Sequence, residues 1–140
     1  MSRPVVSEWT GEAVLGNLKA VQSLVEECLA AAGCPMQTQI KIAVAVEEIF
    51  VNIASYAYAP GTGTATVRTE RSEDPAAVTI TFVDHGMPYD PLSREDPDIS
   101  LPIEQRDIGG LGIFMTKKVM DDVSYEYKDG RNILTLKKNL

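Results

Sequence analysis

The chain has 140 residues, of which 44% are hydrophobic and 24% charged, and its 13 Lys and Arg against 20 Asp and Glu give a net charge of −7. This length and composition predict one soluble globular domain spanning residues 1–140. The acidic balance argues against a general nucleic-acid binder, because such proteins need a basic surface that displaces counterions. The single histidine, His85, excludes zinc sites built from two or three histidines of one chain.

No targeting or membrane segment is expected. The N-terminal residues lack the apolar core of a signal peptide, and the longest uncharged run, residues 49–67, is interrupted by a proline, two glycines and an asparagine. We therefore predict a cytoplasmic protein, in which Cys28 and Cys34 are reduced thiols.

The first half of the chain is predicted to contain one short strand and two helices. Apolar residues recur at helical spacing through two segments, and Gly33 followed by Pro35 ends the first of them. The predicted elements are a strand at Val5–Trp9, a break at Thr10–Gly11, a helix from Glu12 to Gly33, and a helix from about Met36 to the turn at residues 60–63.

The second half reads mainly as strands. The predicted elements are strands at Thr64–Thr69 and Val78–Val83 around a loop at Arg71–Ala76, a long loop at Asp84–Glu104, a helix at Leu111–Met120, and strands at Val123–Lys128 and Asn132–Lys138 around a turn at Asp129–Gly130. Helices and strands come in clusters and do not alternate strictly. This order favours an α+β fold, a two-layer sandwich with a mixed, mostly antiparallel sheet and helices on one face.

The second predicted helix carries an acid and an amide on one face. Glu48 and Asn52 are four residues apart and so lie one turn above each other, whereas Glu47 points elsewhere, about 100° around the helix. An Asn carbonyl oxygen suits a hard cation such as Mg²⁺, and a Glu one turn away can accept a proton. A solvated polar face is the alternative interpretation of this pair.

Two further motifs follow in chain order. Asp84 and Gly86 stand where a predicted strand ends, a position at which an aspartate can accept an exocyclic amine, although Asp and Gly are also common in ordinary turns. The segment Gly109–Gly110–Leu111–Gly112 directly precedes a helix with a periodic apolar face. Glycines there let backbone N–H groups and the helix N-terminus approach a phosphate.

The order of these motifs resembles the nucleotide-binding boxes of the Bergerat-fold (GHKL) ATPases. Within that group, the chain resembles the bacterial anti-sigma factor serine/threonine kinases, from its first helix to its last strand. The resemblance implies that Glu48 is the general base, that Asn52 holds Mg²⁺, and that Asp84 binds the adenine amine in a pocket shaped by Gly86.

The resemblance also assigns the glycine-rich segment and the loop before it. It implies an ATP lid at about residues 84–108, in which Arg106 reaches the terminal phosphate, and phosphate binding by the following segment, which comprises Gly109, Gly110, Leu111 and Gly112. ATP and Mg²⁺ are the implied cofactors. The implied partners are a sigma factor and an anti-anti-sigma (STAS) protein, with a homodimer, no direct nucleic acid and no membrane.

Three residues depart from the pattern of that family. Val51 stands where Thr is frequent, Tyr56 where His is frequent, and Asn132 where a nucleotide-contacting Thr is common. A nucleotide-gated binding module with little catalysis therefore stays open beside the kinase. A detached histidine-kinase domain is disfavoured because no predicted helix carries a phospho-accepting histidine, and a gyrase-like ATPase would need a transducer domain.

Overall fold

The computed structural model describes residues 3–93 and 111–140. Five strands form one sheet in the order β1-β2-β3-β5-β4, and each neighbouring pair is antiparallel. The strands are β1 (Val5–Glu12), β2 (Thr64–Glu73), β3 (Ala76–Asp84), β4 (Asp122–Lys128) and β5 (Arg131–Asn139). The prediction of a mixed sheet is wrong, because in the described part of the chain every strand pair is antiparallel.

Three α-helices accompany the sheet. They are α1 (Leu18–Ala31), α2 (Met36–Asn52) and α3 (Leu111–Val119). A 3₁₀ turn, Leu15–Asn17, precedes α1, and a π-helical turn, Ile53–Ala57, continues α2 without a break. None of the described helices is both long enough and apolar enough to cross a bilayer.

One face of the sheet forms the core with the helices. Register places Val67, Phe82 and Leu134 in one cross-strand row, and all three are buried. They join a cluster with apolar residues of all three helices, among them Val25 of α1 and Phe50 of α2. Residues of the neighbouring rows on the opposite face are more exposed and largely polar, as the alternation of a half-buried strand requires. The α+β two-layer architecture predicted from the sequence is confirmed.

The predicted break after β1 is wrong. The strand continues through Thr10 and Gly11 because Gly11 and Glu12 pair with the first residues of β2. Gly11 has a packing role here, since a Cβ at this position would lie 2.6 Å from the ring of Trp9. Because β1 extends to Glu12, the first helix begins later than predicted, at Leu18.

The predicted loop at Arg71–Ala76 is also too long. The strands continue toward each other through the pairs Arg71–Val78 and Ser72–Ala77, and this leaves only Asp74 and Pro75 outside β2 and β3. The segment is the end of a hairpin whose residues 73–75 are exposed, and the Ser72 hydroxyl donates to the Pro75 carbonyl at 2.8 Å.

Two turns agree with the sequence expectation. Gly33 follows α1 with a φ of +75°, the left-handed conformation typical of a helix C-terminus. Asp129 and Gly130 join β4 to β5 with φ values of 54° and 76°, and positive φ at both positions is what a two-residue type I′ hairpin needs. Cys28 and Cys34 are free thiols, and burial raises the pKa of each.

Candidate functional site

A cavity of about 670 Å³ lies between the C-terminal part of α2, the ends of β3 and β5, and the segment that follows β3. This volume is in the range of small-molecule sites, about 300–1,000 Å³. Its walls are mostly apolar and include Ile53, Phe82, Ile113 and Leu134. The polar residues that line it are few: Glu48, Asn52, Ser55, Asp84 and Asn132, with three tyrosines.

Asp84 is the last residue of β3 and is only 5% exposed. Its Oδ1 accepts hydrogen bonds from the backbone N–H of Gly86 at 2.8 Å and from Nδ2 of Asn132 at 2.9 Å. Both hydrogen bonds that described residues make to this carboxylate go to the same oxygen. Oδ2 therefore remains as the acceptor that Asp84 can offer to a bound molecule.

Gly86 brings the segment after β3 against the end of the helical stretch. A Cβ at this position would lie 2.2 Å from the carbonyl oxygen of Ala57, so no other residue fits without a shift of backbone. The same carbonyl accepts the backbone N–H of Met87 at 3.0 Å. The Asp84 turn is thereby fixed to the helix that carries the other polar residues of the cavity.

Tyr58 ties together three parts of the chain around this turn. Its hydroxyl donates to the carbonyl of Thr64 at 2.5 Å and accepts the backbone N–H of His85 at 2.6 Å. Burial raises the pKa of Tyr58, with the nearby Asp84 charge acting in the same direction, so the hydroxyl stays protonated and able to donate. The sequence interpretation missed this bracing role, and the only available signal was the proximity of Tyr58 to the turn at residues 60–63.

Glu48 and Asn52 lie on the wall of the cavity, as their spacing predicts, and both are half-buried. Glu47 is exposed and does not line it. Asn52 is the last residue of α2, directly before the π-helical turn, and such turns are frequent at functional sites. Among the described residues, the side chains of Glu48 and Asn52 have no hydrogen-bond partner.

The Asp84 turn and Glu48 lie at different heights along the helical stretch that lines the cavity. Ala57 contacts the Asp84 turn, whereas Glu48 is nine residues earlier, which corresponds to about 13 Å of helix at a rise of about 1.5 Å per residue. The cavity thus has one end at the buried Asp84 and another at the half-buried Glu48 and Asn52. We call these the base end and the phosphate end.

The glycine-rich segment is described only in part. Leu111 and Gly112 form the first turn of α3, and Ile113, the next residue, is buried against the cavity. Gly109, Gly110 and Arg106 lie outside the described residues, as do residues 94–108 of the predicted lid. The described part of α3 therefore brings its N-terminal turn to the cavity.

The arrangement fits a flat heteroaromatic base linked to phosphates. The apolar walls can stack against a ring, and Asp84 Oδ2 can accept from its exocyclic amine. At the other end, the Asn52 carbonyl oxygen is a suitable ligand for a hard cation, and Glu48 is a carboxylate that can accept a proton. The residues present thus fit both a purine nucleotide and an accompanying Mg²⁺.

Two proteins that are similar to this chain carry the names of serine/threonine or serine protein kinases. The serine/threonine-protein kinase BtrW of Bordetella bronchiseptica is 33% identical over 93 residues, which cover 64% of this chain and 63% of that protein. The serine-protein kinase RsbW of Bacillus cereus (strain ATCC 10987 / NRS 248) is 30% identical over 98 residues, 67% of this chain and 60% of that protein. The matches thus span about three fifths of these curated relatives.

Solved structures with the same fold are more distant in sequence. The RsbU and RsbW domains of Rv1364c from Mycobacterium tuberculosis superpose with a TM-score of 0.65 at 18% identity, over 99% of this chain and 33% of that one. A chain of the SiaB–SiaC complex from Pseudomonas aeruginosa superposes with a TM-score of 0.56 at 18% identity, over 96% of this chain and 89% of that one. At this identity the likeness concerns the fold.

The profile of one domain family matches residues 12–138, from the end of β1 to the end of β5. The match includes α2 with Glu48 and Asn52 and the strand end with Asp84. On this evidence, the chain belongs to the family of histidine kinase-like ATPase domains.

Proposed function

We propose that the protein is an anti-sigma factor that binds ATP and Mg²⁺ and phosphorylates a serine or threonine of an anti-anti-sigma (STAS) partner. The observation that carries the proposal is one cavity with a buried acceptor, Asp84, at its base end and the Glu48–Asn52 pair at its phosphate end. The names of the relatives BtrW and RsbW support a serine or threonine hydroxyl as the phosphoryl acceptor.

Adenine occupies the base end in this proposal. Its exocyclic amine donates to Asp84 Oδ2, while Ile53, Phe82 and Leu134 supply apolar surface for the ring. Hydrogen bonds to a charged acceptor contribute about 1.5–3 kcal/mol each, so Asp84 accounts for a large part of the base affinity. Gly86 contributes by letting the backbone of the turn pack close to Ala57.

The triphosphate extends toward Glu48 and Asn52. The residue that would hold Mg²⁺ is Asn52, through its carbonyl oxygen, and the ion would neutralise charge on the phosphates. Backbone N–H groups at the start of α3 would bind phosphate oxygens, because a helix N-terminus offers free donors and a positive dipole. In the proposal these donors belong to Gly109, Gly110, Leu111 and Gly112, and Arg106 reaches the terminal phosphate from the lid.

Glu48 acts as the general base. The acceptor serine loses its hydroxyl proton to the Glu48 carboxylate as its oxygen forms a bond to the γ-phosphorus. The bond from that phosphorus to the β,γ-bridging oxygen breaks, and ADP leaves with the electron pair. Most of the rate enhancement in such transfers comes from positioning and charge stabilisation, so Glu48 needs to be held close to the hydroxyl.

The proposal places the protein in the cytoplasm as a homodimer, with a sigma factor as its second partner. The net charge of −7 is compatible with a basic surface on that partner. In this arrangement the protein holds the sigma factor until the STAS partner competes for it. Phosphorylation of the STAS partner then ends the competition.

Single-turnover transfer tests the proposal. The protein is loaded with γ-labelled ATP and Mg²⁺ and mixed with STAS proteins encoded near its gene, and label on the acceptor is followed with time. We expect phosphoserine or phosphothreonine on one acceptor. ATP binding without transfer to any acceptor, combined with ATP-dependent sigma-factor affinity, would support the nucleotide-gated binding module and overturn the kinase.

A further inference from the structure

The solvent-facing side of α2 carries apolar side chains to which the proposed function gives no task. The buried residues of this helix are Ile42, Ala45, Val46, Ile49 and Phe50. On its other side, Met36 is 66% exposed, Ile40 58% and Val44 41%. A surface helix of a globular protein normally presents charged and polar residues to solvent, so this side of α2 departs from the amphipathic pattern.

The three exposed apolar residues are four positions apart and form one strip along the helix. Residues at i and i+4 are neighbours on a helix surface, so each of the three side chains adjoins the next. Single exposed apolar residues are ordinary, whereas a contiguous apolar patch is typical of an interaction site. We call Met36, Ile40 and Val44 the apolar row; the other exposed residues of α2 are Gln37, Lys41 and Glu47.

The apolar row continues at the same spacing into the cavity. The next two positions are Glu48 and Asn52, which line the phosphate end. Val44 is thus the neighbour of Glu48 one turn toward the N-terminus of α2. Met36 is 12 residues before Glu48, which corresponds to about 18 Å of helix at a rise of about 1.5 Å per residue. The exposed apolar surface therefore leads directly to the proposed general base.

The geometry of phosphoryl transfer determines from which side an acceptor protein reaches Glu48. The attacking and leaving oxygens lie roughly in line through the γ-phosphorus. The leaving oxygen belongs to ADP, whose base lies in the proposed function at the Asp84 turn, beside Ala57. The acceptor hydroxyl must then lie on the side of the γ-phosphorus that faces away from the base end. Along α2, that direction leads from Glu48 to Val44 and the rest of the apolar row.

We propose that the apolar row is the docking surface for the acceptor protein, an anti-anti-sigma (STAS) partner with an apolar patch beside its acceptor serine or threonine. The partner is the one that the proposed function names, so the inference rests on that proposal. The patch of the partner covers Val44, Ile40 and Met36 while its hydroxyl lies at Glu48. A row about 18 Å long fits under one interface of standard size, which buries about 800 Å² on each partner.

A docking surface outside the cavity has a kinetic signature of its own. The cavity is lined by residues of α2 from Glu48 onward, and the apolar row precedes them. Shortening a side chain of the row therefore removes contacts with the acceptor protein and leaves the nucleotide and Glu48 in place. Contacts of this kind are equal in the ground state and the transition state, so their loss raises the acceptor concentration needed and leaves the saturated rate unchanged.

The test is single-turnover transfer from γ-labelled ATP, with Mg²⁺, to the STAS protein encoded near the gene that takes label from the parent. The rate is measured over a range of STAS concentrations. Ile40→Ser and Val44→Ser should each raise the STAS concentration at half-maximal rate by about tenfold, and Ile40→Leu should keep it within about twofold of the parent. The saturated rate and the ATP affinity should stay within about twofold in all three variants, which also shows that they fold.

Val5→Ser is the matched control for Val44→Ser. Val5 is 46% exposed, close to the value for Val44, and the substitution is the same. It pairs with Arg71 in the half of β2 that ends at the hairpin, whereas the other end of β2 pairs with Asp84 beside the cavity. The control should therefore reach half-maximal rate at the parental STAS concentration.

Half-maximal rates at the parental STAS concentration in both Ile40→Ser and Val44→Ser overturn the inference and leave the kinase intact. If the row holds a sigma factor or a second copy of the chain instead, this same result comes with weaker sigma-factor binding or with loss of self-association in sedimentation. A lower saturated rate at an unchanged half-maximal concentration also overturns docking. Absence of transfer by the parent to any STAS protein overturns the proposed function, and the inference with it.

Discussion

The base end and the phosphate end of the cavity differ in how their side chains are held. At the base end, Asn132 donates to Asp84, and the backbone N–H groups of Gly86 and His85 donate to Asp84 and to Tyr58. Gly86 also packs the turn against Ala57. At the phosphate end, Glu48 and Asn52 are half-buried and have no hydrogen-bond partner among the described residues.

The difference indicates which interactions exist before a ligand arrives. In the proposed function, the base end is preorganised, so a base can bind without ordering further side chains, and this lowers the entropic cost of binding. The phosphate end offers groups whose partners would come with the ligand: phosphates, a metal ion and an acceptor hydroxyl. We therefore expect changes at the two ends to affect different steps.

The largest expected effect is at the phosphate end, on catalysis. General bases contribute about 10²–10⁴-fold, so Glu48→Gln should slow phosphoryl transfer by at least a hundredfold while ATP affinity stays within about threefold. Glu47→Gln is the matched control, because Glu47 is exposed and outside the cavity. A single-turnover assay measures both variants. Transfer by Glu48→Gln at the parental rate would remove Glu48 from the mechanism.

At the base end, Asp84→Asn should weaken nucleotide binding by about 10–150-fold, the equivalent of about 1.5–3 kcal/mol for one charge-assisted hydrogen bond. Because the base end needs no metal, the loss should be the same with and without Mg²⁺. Calorimetric titration under both conditions measures it, with Asp129→Asn, on the far hairpin turn, as the control. Parental affinity in Asp84→Asn would refute the adenine assignment.

Asn52→Ala should show the opposite dependence. The variant should lose most of the increase in ATP affinity that Mg²⁺ gives the parent, and should bind ATP like the parent when the metal is chelated, because only a metal ligand is removed. The measurement is a pair of titrations, in Mg²⁺ and in EDTA. An unchanged response to Mg²⁺ would return Asn52 to the solvated polar face of an amphipathic helix.

The smallest effect concerns stability and pH. Burial raises the pKa of Tyr58 above its ordinary value of 10.0, so the folded state holds this proton more tightly than the unfolded chain. The contribution of Tyr58 to the free energy of unfolding is therefore complete below about pH 10 and decreases as the pH rises through the folded-state pKa. Tyr58→Phe should show a shallower alkaline decrease.

The same variant loses two hydrogen bonds at neutral pH, so its free energy of unfolding should be lower by about 1–2 kcal/mol. Denaturant titrations at pH 7 and at several values between 9 and 11 measure both effects. Tyr56→Phe is the control, since Tyr56 is 67% exposed. An alkaline decrease as steep as that of the parent would show that the Tyr58 hydroxyl is not held in the folded state as described.

The sequence predicts the phosphate end better than the base end. Glu48 and Asn52 lie on one helix, and helical spacing alone brings them to one face. The base end depends on contacts between residues far apart in sequence, such as Asn132 with Asp84 and Tyr58 with His85. No local periodicity encodes those contacts, so Asn132 could be recognised only as a departure from a family pattern, and the role of Tyr58 was missed.

Strand ends show the same limit. The break expected at Gly11 and the loop expected at Arg71–Ala76 followed local composition, but pairing with neighbouring strands extends β1, β2 and β3 through these residues. The turn at Asp129–Gly130 was predicted correctly because its positive φ values are a local requirement. At Gly11 and at Arg71–Ala76 the prediction depended on amino-acid composition, and pairing with the neighbouring strand decided the structure instead. At Asp129–Gly130 it depended on a backbone conformation that the turn requires.

The most direct test of the two-ended site is a calorimetric titration of the parent protein with ATP, once in Mg²⁺ and once in EDTA. The account predicts one ATP bound per chain in both titrations, more tightly with the metal, because the base end is formed without it. Absence of ATP binding in both would contradict the nucleotide site, and binding that disappears completely in EDTA would contradict a preorganised base end.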